Sequence, residues 1–371
     1  MLRLSPYSHS PIHFHFTQTP RDFVVQEVPL YEPSGEGEHL YIVVRKKSLS
    51  TPELIKILSS TLGVSSKEIG YAGLKDKNAL TTQALTLPKR FEHALSQSQS
   101  TLEQKNIKIL STTPHANKLR VGHLKGNKFF IRIKKVQKSD LEKIKSVLQK
   151  ISDFGMPNYF GFQRFGKFGD NYLEGKAIIE GKKKIRDKKL STFLISSYQS
   201  HLFNLWLSQR VQTSLLIQEF SPKELAKALE LQSLPPIQST HSLLSQPHPF
   251  KLLEGELMHH YPYGKLFALS DIKEEAQRFF AKDIVPCGVL SGKKTTLPLL
   301  DALSYQEEFL DHSIKEIGSH RFAWVFPQEL DYRYIEEKAQ LELNFFLPKG
   351  SYATILLETL ANREIQGGDD V

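Results

Sequence analysis

The sequence predicts a mixed α/β fold of the α+β kind, one sheet split along the chain by a mostly helical inserted domain. Three observations predict it: strand texture over the first ~135 residues, helical texture after Gly166, and strand texture again at 339–347. Residues 23–28 and 40–45 are β-branched and aromatic and are bounded by Pro and Gly, a composition that suits a pleated, half-buried surface. Thr51 then opens a helix. It can cap, Pro52 suits the first turn, and Leu54, Ile57, Leu58 and Leu62 recur at helical spacing until Gly63 stops the run. Residues 129–133 read as another strand, and a helix starting near Ser139 places Ile144, Val147, Leu148 and Ile151 on one face. Helices follow at 197–211 and 224–231, while the Ser- and Gln-rich stretches 96–100 and 232–246 read as loops. Chain order brings the strand at 339–347 and a helix at 352–360 back to the N-terminal sheet, which makes the middle an insertion.

With 371 residues the chain is long enough for two domains with ample cores, and 40% hydrophobic with 24% charged residues is a globular composition. No run of about 18 apolar residues occurs and the N-terminus lacks a hydrophobic stretch of signal type, so neither a membrane span nor secretion is expected. Cys287 is the single cysteine and cannot form an internal disulfide, so a reducing cytoplasm is the expected compartment. The net charge of +9 is uneven. Residues 1–154 hold 24 Lys/Arg against 13 Asp/Glu, 155–325 hold 21 against 18, and 326–371 hold 4 against 9. Within the basic part, 104–139 carries ten Lys/Arg and no acid, interleaved with Phe129 and Phe130. A solvated basic face is the plain reading. A track of cations with aromatic faces is also what an RNA site requires, through counterion release and stacking of unpaired bases.

One acid stands out. Asp76 lies between Lys75 and Lys77 in a glycine-bearing loop, Gly70 to Gln83, where nearby ammonium groups would favour its ionised and nucleophilic form. Taken alone, Lys-Asp-Lys is most often a surface loop with mixed charges. The loop resembles, however, the signature of the tRNA pseudouridine-13 synthases, the TruD family of pseudouridine synthases. Five further segments resemble motifs of that family in the family's order: Asp22 through Glu27, Gly37 through Leu40, Gly122 through Phe129, Asn158 through Gly166, and Leu347 through Thr354.

The resemblance implies a pseudouridine-synthase-like catalytic sheet formed by 1–154 plus 326–371, with a family-specific insertion at 155–325. It implies isomerisation of a uridine in tRNA, at position 13, to pseudouridine, with no metal and no cofactor. Asp76 takes the nucleophile's role and Phe129 the stacking role, with Asn127 holding the base edge or the backbone near Asp76. Without the resemblance Phe129 reads as core and Asn127 as a turn residue. Glu27 is either a surface acid or a polar support for the Asp76 loop. Gln163 and Arg164 touch RNA phosphate or fasten the two domains. Lys125, Lys128 and Arg132 are the candidate backbone contacts within the basic block. The chain departs from the family where a lysine often precedes the Asp-Phe-x-Val-x-Glu strand, for 15–20 here contain none. The cation that would neutralise Asp76 is therefore open, with Lys75 and Arg21 the candidates. Adjacent side chains in an extended segment point opposite ways, which counts against Lys75.

Other features carry less. Residues 288–295 resemble a phosphate loop but with wrong glycine and threonine spacing, and read as a turn. His13, His15, His259 and His260 lack the partners of a zinc site. Cys287 has no evident base beside it and reads as structural. The basic run 182–189 is either a solvated loop or a second RNA contact. A non-catalytic RNA-binding protein is the rival reading, and it gives no use to an acid facing phosphates. No membrane and no obligate protein partner are expected; tRNA is the expected partner.

Overall fold

The computed structural model describes residues 3–238 and 240–365. Six strands come first: β1 (Phe23–Pro29), β2 (His39–Lys47), β3 (Gly70–Tyr71), β4 (Leu80–Pro88), β5 (Ile107–His115) and β6 (Leu124–Lys134). Six shorter ones follow: β7 (Met156–Pro157), β8 (Leu257–His260), β9 (Leu266–Ala268), β10 (Ile284–Leu290), β11 (Ser319–Phe322) and β12 (Trp324–Val325). The chain ends with the hairpin β13 (Gln328–Ile335) and β14 (Gln340–Pro348) and the helix Ala353–Ala361.

Two compact units result. Among the described residues, one comprises His13–Ser139 with Gln328–Gly350, the other residues 3–12, 140–327 and 351–365. The expected return of the C-terminal strand to the N-terminal sheet is found, since β14 pairs along its length with β6. The partition itself differs from the one drawn at 154 and 326. The helices Leu141–Phe154 and Ala353–Ala361 group with the middle of the chain, because they pack on each other and the second also packs on β7.

The first unit is a single sheet in the order β13-β14-β6-β1-β4-β2-β5, with β3 added on β4. β1 and β4 run parallel and the other pairs antiparallel. The helix Thr51–Leu62 lays Leu54, Leu58 and Leu62 on Leu40, Ile42, Val44 and Leu85 of one sheet face. Its cap is Ser50 and not Thr51: Ser50 accepts from the Glu53 amide while Glu53 accepts from the Ser50 amide, so Thr51 is left free for another bond. The stretch 96–100, expected as a loop, is mostly helical, within Glu92–Gln97 and Gln99–Gln104. Leu95 and Leu102, two turns apart, are buried in the same core, and packing overrides the polar composition. Gly126 is required where β6 passes β14, because a Cβ there would collide with the Leu347 carbonyl.

In the second unit the helix Lys188–Glu219 runs the length expected at 197–211 and well beyond, with Asp187 capping its start. Beside the helices lies a four-stranded sheet, β11-β10-β8-β9. The sequence did not signal it, since the buried run of β10 contains Pro286 and Gly288, both poor strand formers. The glycine has a reason: a Cβ there would meet Trp206 and Phe203 of the long helix. Of residues 288–295, expected as a turn, 288–290 are instead the end of β10, and the chain turns only after them, with Gly292 against Gly318. Lys182 and Lys183 of the basic run pair with Glu180 and Glu174, and Cys287 is buried. Among the described residues no helix is long and apolar enough to cross a membrane, and no group of three or more His, Cys, Asp or Glu is arranged to hold a metal.

Candidate active site

Strand register brings the sequence-predicted residues of the sheet unit together. Residues paired across neighbouring strands share a face, and successive residues along a strand alternate faces. Glu27 of β1 pairs with Asn127 of β6, and Val25 with Phe129, so Glu27, Val25, Asn127 and Phe129 lie on one face. Phe129 pairs in turn with Phe345 of β14. On the other side Val25 pairs with Thr81 of β4, and Thr81 with Lys46 of β2. One face therefore carries a row that begins at Lys46, passes through Thr81, Val25 and Phe129 and ends at Phe345, with Gln83, Glu27 and Asn127 beside it. The row is apolar at Val25, Phe129 and Phe345, and its polar members, Lys46 and Thr81, sit at the start of β4, where the loop of Asp76 enters the sheet.

That loop is tied down by its neighbours. The Lys75 amide donates to Thr51 Oγ1 (2.9 Å), the hydroxyl that the Ser50 cap leaves available, and Thr51 in turn donates to Gln83 Oε1 (3.0 Å). Lys75 Nζ pairs with Glu27 Oε2 at 2.5 Å, with side chains only 4% and 2% exposed. The other Glu27 oxygen accepts from the Ala84 amide (3.1 Å). Glu27 thus anchors the loop to the sheet and is no surface acid. A charge pair as buried as this is costly unless its remaining lone pairs are used, and here one is.

Both lysines flanking Asp76 are engaged elsewhere, Lys75 with Glu27 and Lys77 with Glu53 (2.7 Å). The expectation that they alone would hold Asp76 ionised is replaced by a different arrangement. Asp76 is accessible to solvent, yet the surrounding protein weakens its hydration and raises its carboxyl above the ordinary value. Lys46 opposes that rise first and Lys75 second. Arg21, the other cation considered, is exposed and does not appear among the charges acting on Asp76.

Lys46 is the residue that sequence reasoning missed. It is fully buried, and its Nζ donates to the Leu49 carbonyl and, at 3.1 Å, to the backbone carbonyl of Asp76. Burial pushes its ammonium down to about 8, against the attraction of Asp76. A signal was present. Leu40, Ile42, Val44 and Lys46 share the inward phase of one strand, and a lysine at an inward position needs a partner.

Asn127 is half-buried, with Oδ1 lacking any hydrogen-bond partner. Such an atom costs stability unless something else satisfies it. Phe129 is 8% exposed and has the surroundings of a core side chain: its ring stacks on Phe345 (centroids 5.4 Å, 26° between planes) and leans on Phe23 (6.1 Å). The basic block is less free than its sequence suggests. Arg132 holds Asp22 (3.2 Å) and Glu342 (2.9 Å), Lys128 meets Glu329 (2.7 Å), and Lys138 meets Glu336 (2.7 Å). The acids are Asp22, just before β1, and residues of the acidic C-terminal hairpin. Lys125 and Lys128 are exposed and Arg132 is half-buried.

Gln163 and Arg164 lie in the other unit, in a 3-10 turn, Phe162–Arg164. Arg164 donates to Ser196 and Ser200 and sits over the rings of Phe193 and Phe160, while Gln163 accepts from Thr354. Arg321, which the sequence did not single out, lies 3.8 Å from the Phe160 ring centroid and donates to the Asn158 and Tyr159 carbonyls. Neither guanidinium has a carboxylate partner among the described residues, and burial lowers both, Arg321 to about 10. A positive pair on an aromatic ring is a natural seat for a phosphate.

Residues 5–186 match the family described as tRNA pseudouridine synthase D (TruD). The chain is 52% identical over 366 residues to the tRNA pseudouridine synthase D of Wolinella succinogenes, covering 99% of each chain. To that of Sulfurimonas denitrificans it is 51% identical, covering 98% of this chain and 100% of the relative. A solved structure described as a candidate tRNA pseudouridine synthase D (TruD) from Methanosarcina mazei superposes with a TM-score of 0.67 at 20% identity, covering 97% of this chain and 96% of that one.

Proposed function

The chain belongs to the TruD family of tRNA pseudouridine synthases, and from that premise we propose that Asp76 is the nucleophile with which it isomerises uridine 13 of tRNA to pseudouridine. The observation that carries the reading is the loop itself. An accessible carboxylate lies within electrostatic reach of two buried lysines, one bonded to its own backbone carbonyl and the other locked by Glu27. A surface acid needs no such support.

The reaction breaks the N-glycosidic bond, turns the base and rejoins it through carbon 5, so it is redox-neutral and intramolecular. The Asp76 carboxylate adds to carbon 6 of uracil or to the anomeric carbon of ribose, and either addition gives a covalent intermediate. The uridine must first leave its stack. Asn127 Oδ1, which has no partner among the described residues, accepts from the base edge, and Phe129 supports the base from the same face. Lys46 and Lys75 keep Asp76 ionised despite its surroundings. Lys125 and Lys128 contact the RNA backbone, with Arg132 engaged mainly by its own acids; Gln163, Arg164 and Arg321 contribute a further phosphate site. Along the chain the catalytic domain is 1–154 plus 326–371 with 155–325 inserted, although the helices Leu141–Phe154 and Ala353–Ala361 group in space with the middle of the chain. Incubation with unmodified tRNA followed by mapping should give pseudouridine at position 13. Conversion at another uridine would refute the position, and no conversion in any tRNA would refute the reading.

Lys46→Met should move the acid limb of the single-turnover rate to higher pH. The sign follows from the charge: removing a cation disfavours the carboxylate, its pKa rises further, and at a fixed pH fewer molecules carry the nucleophile. Rates per folded molecule between pH 5 and 9 check this, and an unchanged acid limb would remove Lys46 from the site.

Phe129→Ala should lower stability by about 3–5 kcal/mol, because a stacked core ring is lost. Turnover per folded molecule should fall as well, by an amount equivalent to about 1–3 kcal/mol for a lost stacking face, with the salt dependence of binding unchanged. Melting temperature and single-turnover rate separate the two effects. A destabilised variant with normal turnover per folded molecule would leave Phe129 as core alone.

A further inference from the structure

Within the sheet unit, away from the residues assigned so far, Tyr31, His115, Asn117, Lys118, Arg120 and His123 line a cavity of about 460 Å³, within the size range of small-ligand sites. No acid lines it. Lys118 and Arg120 have no carboxylate partner among the described residues, although one Lys118 proton goes to the Lys67 carbonyl. Tyr31 forms an aromatic wall, stacked on His115 (5.6 Å, 30°), and its hydroxyl meets His123 Nδ1 at 2.7 Å.

His115 is the buried member of the lining. It is 5% exposed, and its Nδ1 receives the backbone amide of Ser34 at 3.1 Å. An amide can only donate, so Nδ1 is the acceptor nitrogen and a neutral ring must carry its proton on Nε2. Burial, with His39 adding to it, lowers the ring's pKa and keeps it neutral. Nε2 is buried and has no partner. The cavity therefore presents two cations without carboxylate partners and an aromatic wall, while the unmet Nε2–H lies behind its surface, out of contact with solvent.

We propose that this cavity is a nucleotide subsite that binds one nucleotide of the RNA chain other than the reacting uridine. Its phosphate lies on Arg120 and Lys118, and its base or ribose lies against Tyr31, His115 and His123. The proposal rests on the reading of the chain as an RNA-modifying enzyme. Placement supports RNA over a free nucleotide. A Cβ on Gly70, six residues before Asp76, would meet the Lys118 side chain, and the Gly122 amide donates to the Ala72 carbonyl (2.8 Å). Six residues span at most about 20 Å, so a strand presenting a uridine to Asp76 passes close to the cavity.

The full-length protein, labelled with nitrogen-15 at histidine, tests the site without any turnover. Uridine 5′-monophosphate should shift the His115 Nε2 resonance to saturation, while inorganic phosphate and uridine alone should shift it far less. An equal effect of phosphate alone, or no shift with the nucleotide, would overturn the proposal. The double variant Lys118→Gln/Arg120→Gln, altered only at exposed or half-buried positions, should keep its melting temperature and weaken tRNA binding roughly tenfold. It should also flatten the log affinity against log salt slope by about 0.7–0.9, for the one phosphate that the two cations hold. Its single-turnover rate at saturating tRNA should stay normal. Unchanged affinity and slope, or lost turnover with normal affinity, would overturn the subsite. A failure of the Asp76 mechanism looks different, since it affects turnover and leaves these binding readouts intact.

Discussion

Replacing Asp76 with Asn is expected to lower single-turnover conversion of unmodified tRNA by about four orders of magnitude or more, the scale on which covalent enzymes lose rate with their nucleophile. The amide is nearly isosteric but cannot attack as an anion. Affinity should change little, because the cationic residues that hold phosphates are untouched. Stability should move in the opposite direction from activity. The folded-state pKa of Asp76 is raised, so the folded protein binds its proton more tightly than the unfolded chain does. The carboxylate then contributes nothing unfavourable below its ordinary pKa, and stability falls as pH rises through the folded value. At neutral pH Asn removes that penalty, and the variant should melt at or slightly above the wild-type temperature. A variant that melts well below the wild type would show that the carboxylate is needed for the fold.

Glu27→Ala should have the largest effect on stability in the loop region, about 3–5 kcal/mol, because it leaves the Lys75 ammonium buried and unpaired. The Ala84 amide also loses its acceptor. Urea unfolding at constant m-value measures the loss. Adding Lys75→Met removes the stranded charge, and most of the stability should return, since buried pairs exchange for apolar groups at little net cost. Turnover should not return with it. The doubly substituted loop has lost both its anchor to β1 and one of the two cations acting on Asp76. Recovery of activity along with stability would reduce Glu27 and Lys75 to a structural role.

Of the eight strands of the sheet, β1, β2, β6 and β14 were legible from their β-branched and aromatic composition, and the helix between β2 and β3 from its local start and stop signals, whereas β3, β4, β5 and β13 were not. The Asp76 loop, Asn127 and Phe129 stood out through motifs that lie within single stretches of chain. What was not legible depended on pairings between distant segments. Lys46 needed the recognition that β2 continues past Arg45 in the same phase. The pairing of Arg132, Lys128 and Lys138 required knowing that the acidic hairpin β13–β14 joins the sheet next to β6, so a block without acids in sequence has them in space. The Glu92–Gln104 helices were hidden by polar composition around only two buried leucines. Arg321 was unreadable because its setting over Phe160 joins residues far apart in the chain.

Acid quenching of a single-turnover reaction between the wild-type protein and unmodified tRNA, followed by mass spectrometry of the digested complex, tests the central claim most directly. The account predicts nucleotide mass attached to Asp76 during conversion, and neither adduct nor pseudouridine with Asp76→Asn. An adduct on any other side chain, or pseudouridine accumulating with Asp76→Asn, would contradict it.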